Sequence, residues 1–114
     1  MKIYVKLFDK EFDVKASNKA VRSALKMQLE FAKMNNTADK DATDVFSTQI
    51  AVIDEAEFFM KNILKLTKKQ AESLDDMDFQ ETMSAVGYIC DRMMGMSDEQ
   101  IKADTEKVRE DPKK

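Results

Sequence analysis

The sequence predicts a mainly α-helical, α+β domain in which a short N-terminal β-hairpin packs on a bundle of about four helices. Three observations support this fold class. The first 15 residues alternate apolar and polar side chains, as strands do. The later segments carry apolar residues at helical spacing and almost no Pro or Gly. Ser, Thr or Asp precedes each of these segments, where a helix needs a capping side chain.

The hairpin is predicted over residues 1–15. Ile3, Val5 and Leu7 fall on one face of a strand over residues 2–8. Phe12 and Val14 alternate in the same way after a turn that begins at Asp9-Lys10. Because an isolated hairpin is only marginally stable in water, we expect this one to pack against a helix.

The helices are predicted from their caps and their apolar periodicity. The first runs from Lys19 to about Asn35 behind Ser17 or Asn18, and the second runs to about Lys65 behind Thr37, Asp39 or Asp41. The later starts are Thr67 for a short helix to Leu74, Asp78 for a helix that ends near Gly95, and Ser97 for a weak helix to about Val108. We therefore expect one domain over 1–108 and a charged, frayed tail over 109–114.

The apolar stripes are broader than one buried face requires. In the first helix the main stripe is Val21, Ala24, Leu25, Gln28, Leu29 and Ala32, widened by Ala20, Met27, Phe31 and Met34. In the second helix the stripe runs from Val45 to Leu64. The helix after Asp78 has its stripe at Phe79, Met83, Val86, Ile89, Cys90 and Met93. We expect Cys90 to be a buried, small apolar group.

Composition excludes most catalytic chemistry. The chain has no His, one Cys and two isolated Gly, so it lacks a histidine relay, an imidazole metal ligand and a Gly-rich phosphate loop. We expect no catalytic residue, no cofactor and no metal. The net charge of −3 without a basic stripe argues against nucleic acid as a partner. No apolar run approaches the roughly 20 residues that span a bilayer, and a lone Cys forms no internal disulfide, so we expect a cytoplasmic protein.

Two acidic clusters have simpler explanations than metal binding. Counting an EF-hand loop from Asp39 places Asp44 where glycine is required and Ile50 where a bidentate Glu is required. The carboxylates over 54–57 lack the histidines of a di-iron site. Helix capping and solvation account for both clusters.

Two apolar clusters are candidates for partner contacts. Met93, Met94 and Met96 lie at a helix end, where three methionines in four positions cannot all point inward. Phe58 and Phe59 stand side by side in a run that covers about 200° of a helix. Core packing and partner binding both remain open for each cluster. We expect Phe58, Phe59, Met93, Met94 and Met96 to contact a partner.

Both ends of the chain resemble the small tail assembly chaperones of long-tailed bacteriophages and prophages of Gram-positive hosts. The matching positions at the N-terminus are Lys2, Ile3, Leu7, Phe8, Lys10, Phe12 and Val14. Those near the C-terminus are Asp78, Phe79, Val86, Ile89, Cys90 and Gly95. Residues 36–66 match only as generic helix.

The resemblance implies a non-enzymatic chaperone. Such proteins coat the apolar, helical tape-measure protein, engage the tail tube protein, tend to self-associate, and act in the host cytoplasm without remaining in the finished virion. The residues are compatible with this function, because an apolar groove can accept a helix and flexible Met side chains can adapt to many sequences. A second hypothesis is a small phage or bacterial regulator that works by homodimerisation, and an enzyme is a third.

Overall fold

The computed structural model describes residues 1–36 and 41–102 and confirms the mainly α, α+β fold. Short 3₁₀ turns cover Lys6–Phe8 and Leu74–Asp76, and a helical segment occupies 98–102. The principal elements are β1 (Lys2–Val5), β2 (Lys10–Asp13), α1 (Asn18–Asn35), α2 (Ala42–Leu64), α3 (Lys68–Ser73) and α4 (Phe79–Met93).

The two strands form an antiparallel sheet whose connection differs from the prediction. Leu7 and Phe8 lie in the 3₁₀ turn and not in the first strand. Asp9 closes this turn with a left-handed φ of 49°, and its amide donates to the carbonyl of Lys6. Phe8 leaves the strand alternation and packs edge-on against Phe12, with ring centroids 5.9 Å apart. The predicted strand over residues 2–8 is therefore too long, because the alternation continues through two apolar residues of the turn.

Capping side chains set the helix starts. Ser17 Oγ accepts from the amide of Ala20 at 3.2 Å, which selects Ser17 as the cap of α1. Asp41 caps α2, and Asp78 caps α4, in the same way. Thr67 forms the predicted capping box with Gln70, in which each side chain accepts from the other residue's amide. These starts were predicted because a cap depends on local sequence.

The core lies where the hairpin, α1, α2 and α4 meet. α1 and α2 pack together, and α4 packs against both helices and against β1. Cys90 is buried as predicted, with its thiol 3.7 Å from the carbonyl oxygen of Ala24. The largest fully buried side chains are Phe59, Ile3, Met27, Met60 and Ile89.

The buried face of α1 differs from the predicted main stripe. Ala24 and Met27 are fully buried, whereas Leu25 and Leu29 are about half exposed. The contact between Ala24 and Cys90 shows why: a small residue on α1 lets α4 approach its backbone closely. The sequence did not separate these leucines from the buried residues, because periodicity alone does not say which side of a broad stripe meets a neighbour.

Some predictions concern residues outside the described ranges. These are the alternative caps Thr37 and Asp39, the end of the last helix near Val108, the domain boundary at 108 and the tail over 109–114. The helical segment at 98–102 begins as predicted, because Ser97 and Gln100 form a second capping box.

Candidate partner-binding surfaces

Phe58 and Phe59 have opposite environments although they are adjacent on α2. Phe58 is 61% exposed, whereas Phe59 is 1% exposed and lies among the core residues. Neighbouring residues on a helix point about 100° apart, so only one of the pair can face the bundle. Of these two predicted contact residues, the structure leaves Phe58 at the surface and assigns Phe59 to the core.

The methionine cluster ends α4 in a Schellman motif. Gly95 adopts a left-handed φ of 94°. Its amide donates to the backbone carbonyl of Arg92, and the amide of Met96 donates to the backbone carbonyl of Asp91. Met93 is buried, Met94 is 44% exposed and Met96 is half-buried. Of the methionines predicted to contact a partner, Met93 is therefore a core residue, Met94 is exposed, and Met96 has a local role in ending the helix.

Several large apolar side chains are exposed on the α1–α2 hairpin. Among the described residues, none in 28–36 and none in 41–51 is buried, so this part of the hairpin extends beyond the core. The 23 residues of α2 span about 35 Å and the 15 residues of α4 about 23 Å, so α4 covers only part of α2. We call the exposed large apolar side chains on this part of the α1–α2 hairpin and next to it the hairpin surface: Leu25, Leu29, Phe46, Ile50 and Ile53.

The sequence pattern did not reveal the hairpin surface, because the apolar stripe on α2 continues from this surface into the core. Phe46, Ile50 and Ile53 follow each other at steps of four and three residues, and Met60 and Leu64 extend the same face. Met60 and Leu64 are buried, while Phe46 and Ile50 are 61% and 59% exposed. The sequence pattern is the same throughout, and only the lengths of the packed helices separate core from surface.

A second candidate surface is a groove of about 860 Å³ between β1 and α4. Val5 and Leu7 form part of its apolar wall, and Met77 and Ala85 lie on the opposite side. Its polar lining includes the carboxylates of Asp78, Glu81 and Asp98 and the ammonium group of Lys6. We call this feature the β1–α4 groove.

A side-chain network lies at one end of the β1–α4 groove. The hydroxyl of Tyr88 donates to Asp98 Oδ1 at 2.5 Å, and Arg92 contacts both residues at 3.1 Å. Burial raises the pKa of Tyr88 above its ordinary value, and the hydrogen bond to Asp98 adds to this rise. The network joins α4 to the helical segment at 98–102 and leaves Asp98 paired with a cation.

Two titratable groups have strongly shifted pKa values. Burial raises the pKa of Glu57 to about 7, and a hydrogen bond with Asp75 and the negative charge of Asp75 add to this rise. Burial also raises the pKa of the Cys90 thiol to about 12, which makes a reactive thiolate unavailable at neutral pH. The raised pKa of Glu57 predicts that its protonation is linked to folding, and the raised pKa of Cys90 agrees with its burial in the core.

Over 1–36 and 41–102, no group of three or more His, Cys, Asp or Glu is arranged to hold a metal ion. No helix in this part of the chain is long and apolar enough to cross a membrane.

Comparison with known proteins identifies a family. A family model described as phage tail assembly chaperone proteins matches residues 1–110, including the middle of the chain where the sequence offered no motif. No curated protein and no solved structure matches the chain. The match extends over both candidate surfaces.

Proposed function

Because the chain belongs to the phage tail assembly chaperone family, we propose that it binds apolar helical segments of the tape-measure protein and helps to recruit tail tube protein. The family role is that of a chaperone, which is not a catalytic role. The single observation that supports our choice of partner is the hairpin surface, where five large apolar side chains remain exposed on two packed helices.

The hairpin surface suits a helical partner. Leu25 and Leu29 lie four residues apart on α1, so their side chains stand on one face of that helix. Phe46, Ile50 and Ile53 form the corresponding row on α2. Rows at this spacing interdigitate with the i, i+3, i+4 and i+7 side chains of another apolar helix. A tape-measure segment bound in this way would cover apolar area on both proteins.

The sequence-predicted contact residues at the surface belong to the proposal as well. Phe58 lies 12 residues after Phe46, which turns it about 120° away from the hairpin surface. We propose that Phe58, Met94 and Met96 contribute a separate patch, available for tail tube protein. The chaperone would act in the host cytoplasm during assembly and be absent from the finished virion.

Co-expression with the tape-measure protein of the same phage tests the proposal. The chaperone should raise the soluble fraction of the tape-measure protein, and Ile50→Ser should lower this effect. Losing one such apolar contact weakens binding by about 1–2 kcal/mol, which is roughly a 5- to 30-fold change in affinity. A tape-measure protein that stays equally insoluble with and without the chain would refute the proposal.

Two phenylalanines on α2 provide a matched comparison. Phe46 and Phe58 are both 61% exposed, so Phe46→Ser and Phe58→Ser remove equal apolar area. We expect the first to weaken tape-measure binding and the second to leave it within about twofold. The reverse ranking would move the tape-measure site to the patch around Phe58.

Self-association is a further part of the proposal. In the absence of a partner, the hairpin surface would pair with a second copy, since exposed apolar patches of this kind favour association. Light scattering should then show a dimer or larger species that Ile50→Ser returns to the monomer. A stable dimer with no affinity for the tape-measure protein would favour the alternative, a regulator that acts by homodimerisation.

A further inference from the structure

We propose that the open edge of β1 in the β1–α4 groove binds an extended segment of another protein as a third strand. The juxtaposition that supports this is an unpaired strand edge beside an apolar groove with an acidic rim. This surface is separate from the hairpin surface and does not depend on the proposed tape-measure binding.

The ladder between β1 and β2 determines which backbone groups point toward the open edge. Met1 and Val14 exchange two hydrogen bonds, at 2.8 and 2.7 Å. In an antiparallel pair such hydrogen-bonded positions alternate with positions whose backbone groups point outward. The observed register pairs Ile3 with Phe12 and Tyr4 with Glu11. The N–H and C=O of Tyr4 therefore point away from β2, and those of Lys2 do the same.

The groove lies along this open edge. Tyr4 and Val5 both line it, although their side chains point to opposite faces of the sheet. Only the edge of a strand is adjacent to side chains from both of its faces. None of the residues that line the groove belongs to β2. A strand laid in the groove would therefore meet the outward backbone groups of β1 on one side and α4 on the other.

The edge selects an extended polypeptide and not a helix. Within the groove Tyr4 offers two outward backbone groups, its N–H and its C=O, which a partner strand can satisfy with its own backbone. A helix has already used the backbone groups of its interior. The apolar walls favour apolar residues at alternate positions of the partner. Asp78, the N-cap of α4, and Glu81 in its first turn favour a Lys or Arg beside them.

A second copy of the chain is a poorer occupant. Two β1 strands paired antiparallel around Tyr4 would bring Lys2 of one copy toward Lys6 of the other, at the point where the 3₁₀ turn begins. Like charges opposite each other destabilise a strand pair, and edge lysines are a common protection against such pairing. The charges therefore favour a different protein as the source of the third strand.

Amide hydrogen exchange tests the proposal directly. The probe is a capped eight-residue peptide of alternating Val and Thr with one central Lys, added to the full chain at saturating concentration. Exchange of the Tyr4 amide should slow at least tenfold, while the amides of Ile3 and Val5, which already bond to β2, should change little. No binding at millimolar peptide, or binding without protection of Tyr4, would overturn the proposal.

Variants at one position separate the backbone from the side chain. Tyr4→Pro removes the outward N–H and should weaken peptide binding at least tenfold, because proline is tolerated where an edge N–H faces outward. Tyr4→Val also loses the phenol that bonds to Asp9 but keeps the N–H, so it should bind at least tenfold more tightly than Tyr4→Pro. Equal binding by both variants would overturn the proposal.

A modified peptide provides a test that leaves the protein unchanged. N-methylation of every peptide amide removes the donors on both edges of the extended peptide, and this peptide should not protect Tyr4 even if Tyr4→Pro proves unable to fold. Equal binding of the methylated peptide would overturn strand addition. Slow exchange at Tyr4 that depends on protein concentration, without peptide, would also overturn the proposal by assigning the edge to a second copy.

Discussion

Replacing each of two adjacent phenylalanines by alanine separates core from surface on α2. Phe59 is 1% exposed, and truncating a core Phe to Ala typically costs about 3–5 kcal/mol in the free energy of unfolding. Phe58 is 61% exposed, and surface changes of this kind usually stay within about 0.5 kcal/mol. The two variants have the same composition, so helix propensity contributes similarly to both.

The expected change in melting temperature follows from the size of the chain. At about 2.1 cal/mol/K per residue, 114 residues give an unfolding entropy of about 0.24 kcal/mol/K. Phe59→Ala should therefore lower Tm by about 12–20 °C, and Phe58→Ala should change it by about 2 °C or less. If the domain is too unstable to tolerate the first change, Phe59→Leu should still show a loss of about 1 kcal/mol.

Urea unfolding followed by far-UV circular dichroism is a suitable assay, because the chain has no Trp and the fold is mainly helical. The midpoints should differ while the slopes with urea remain equal, which indicates a change in stability and not in the unfolded state. An equal loss of unfolding free energy in the two variants, or a larger loss for Phe58→Ala, would refute the assignment of core and surface on this helix.

Three further outcomes follow from single side chains. Thr67→Ala removes a capping box and should lower the free energy of unfolding by about 1 kcal/mol. Thr43 is exposed in the first turn of α2, so Thr43→Ala should lower it by less than about 0.5 kcal/mol. Equal urea midpoints for the two variants would contradict this expectation. Glu57 has a folded pKa of about 7 against 4.5 for the ordinary group, so its contribution to stability is complete below about pH 4.5 and is lost as pH rises through 7. Glu57→Gln should therefore reduce the fall in Tm between pH 5 and pH 8, and an unchanged fall would contradict the shifted pKa. Cys90 should react with a disulfide reagent only on unfolding, so rapid labelling in native buffer would contradict its burial.

The starts of the helices were predictable because the responsible interactions are local. Ser17, Asp41, Thr67 and Asp78 each accept a hydrogen bond from an amide three residues later, a pattern that the sequence displays directly. The left-handed Gly95 at the end of α4 was predictable for the same reason. These features do not depend on how the helices pack.

The division between core and surface was less predictable because it depends on helix packing and relative length. In α1 the small side chain of Ala24 meets α4, and Leu25 next to it faces outward. In α2 one continuous apolar face is buried at Leu64 and exposed at Ile50. The 3₁₀ turn at Leu7 was likewise hidden, since an apolar residue there fits a strand pattern equally well.

Hydrogen exchange of the chain with and without a soluble tape-measure fragment tests the central claim, that the hairpin surface is apolar area left uncovered for a helical partner. The amides of 42–51 belong to a segment of α2 with no buried residue, so they should exchange faster than those of 56–64 in the free chain. Adding the fragment should slow exchange in 25–36 and 42–53 and leave 79–93 nearly unchanged. Protection confined to α4 would contradict the claim. A complete lack of protection after adding the fragment would contradict it as well.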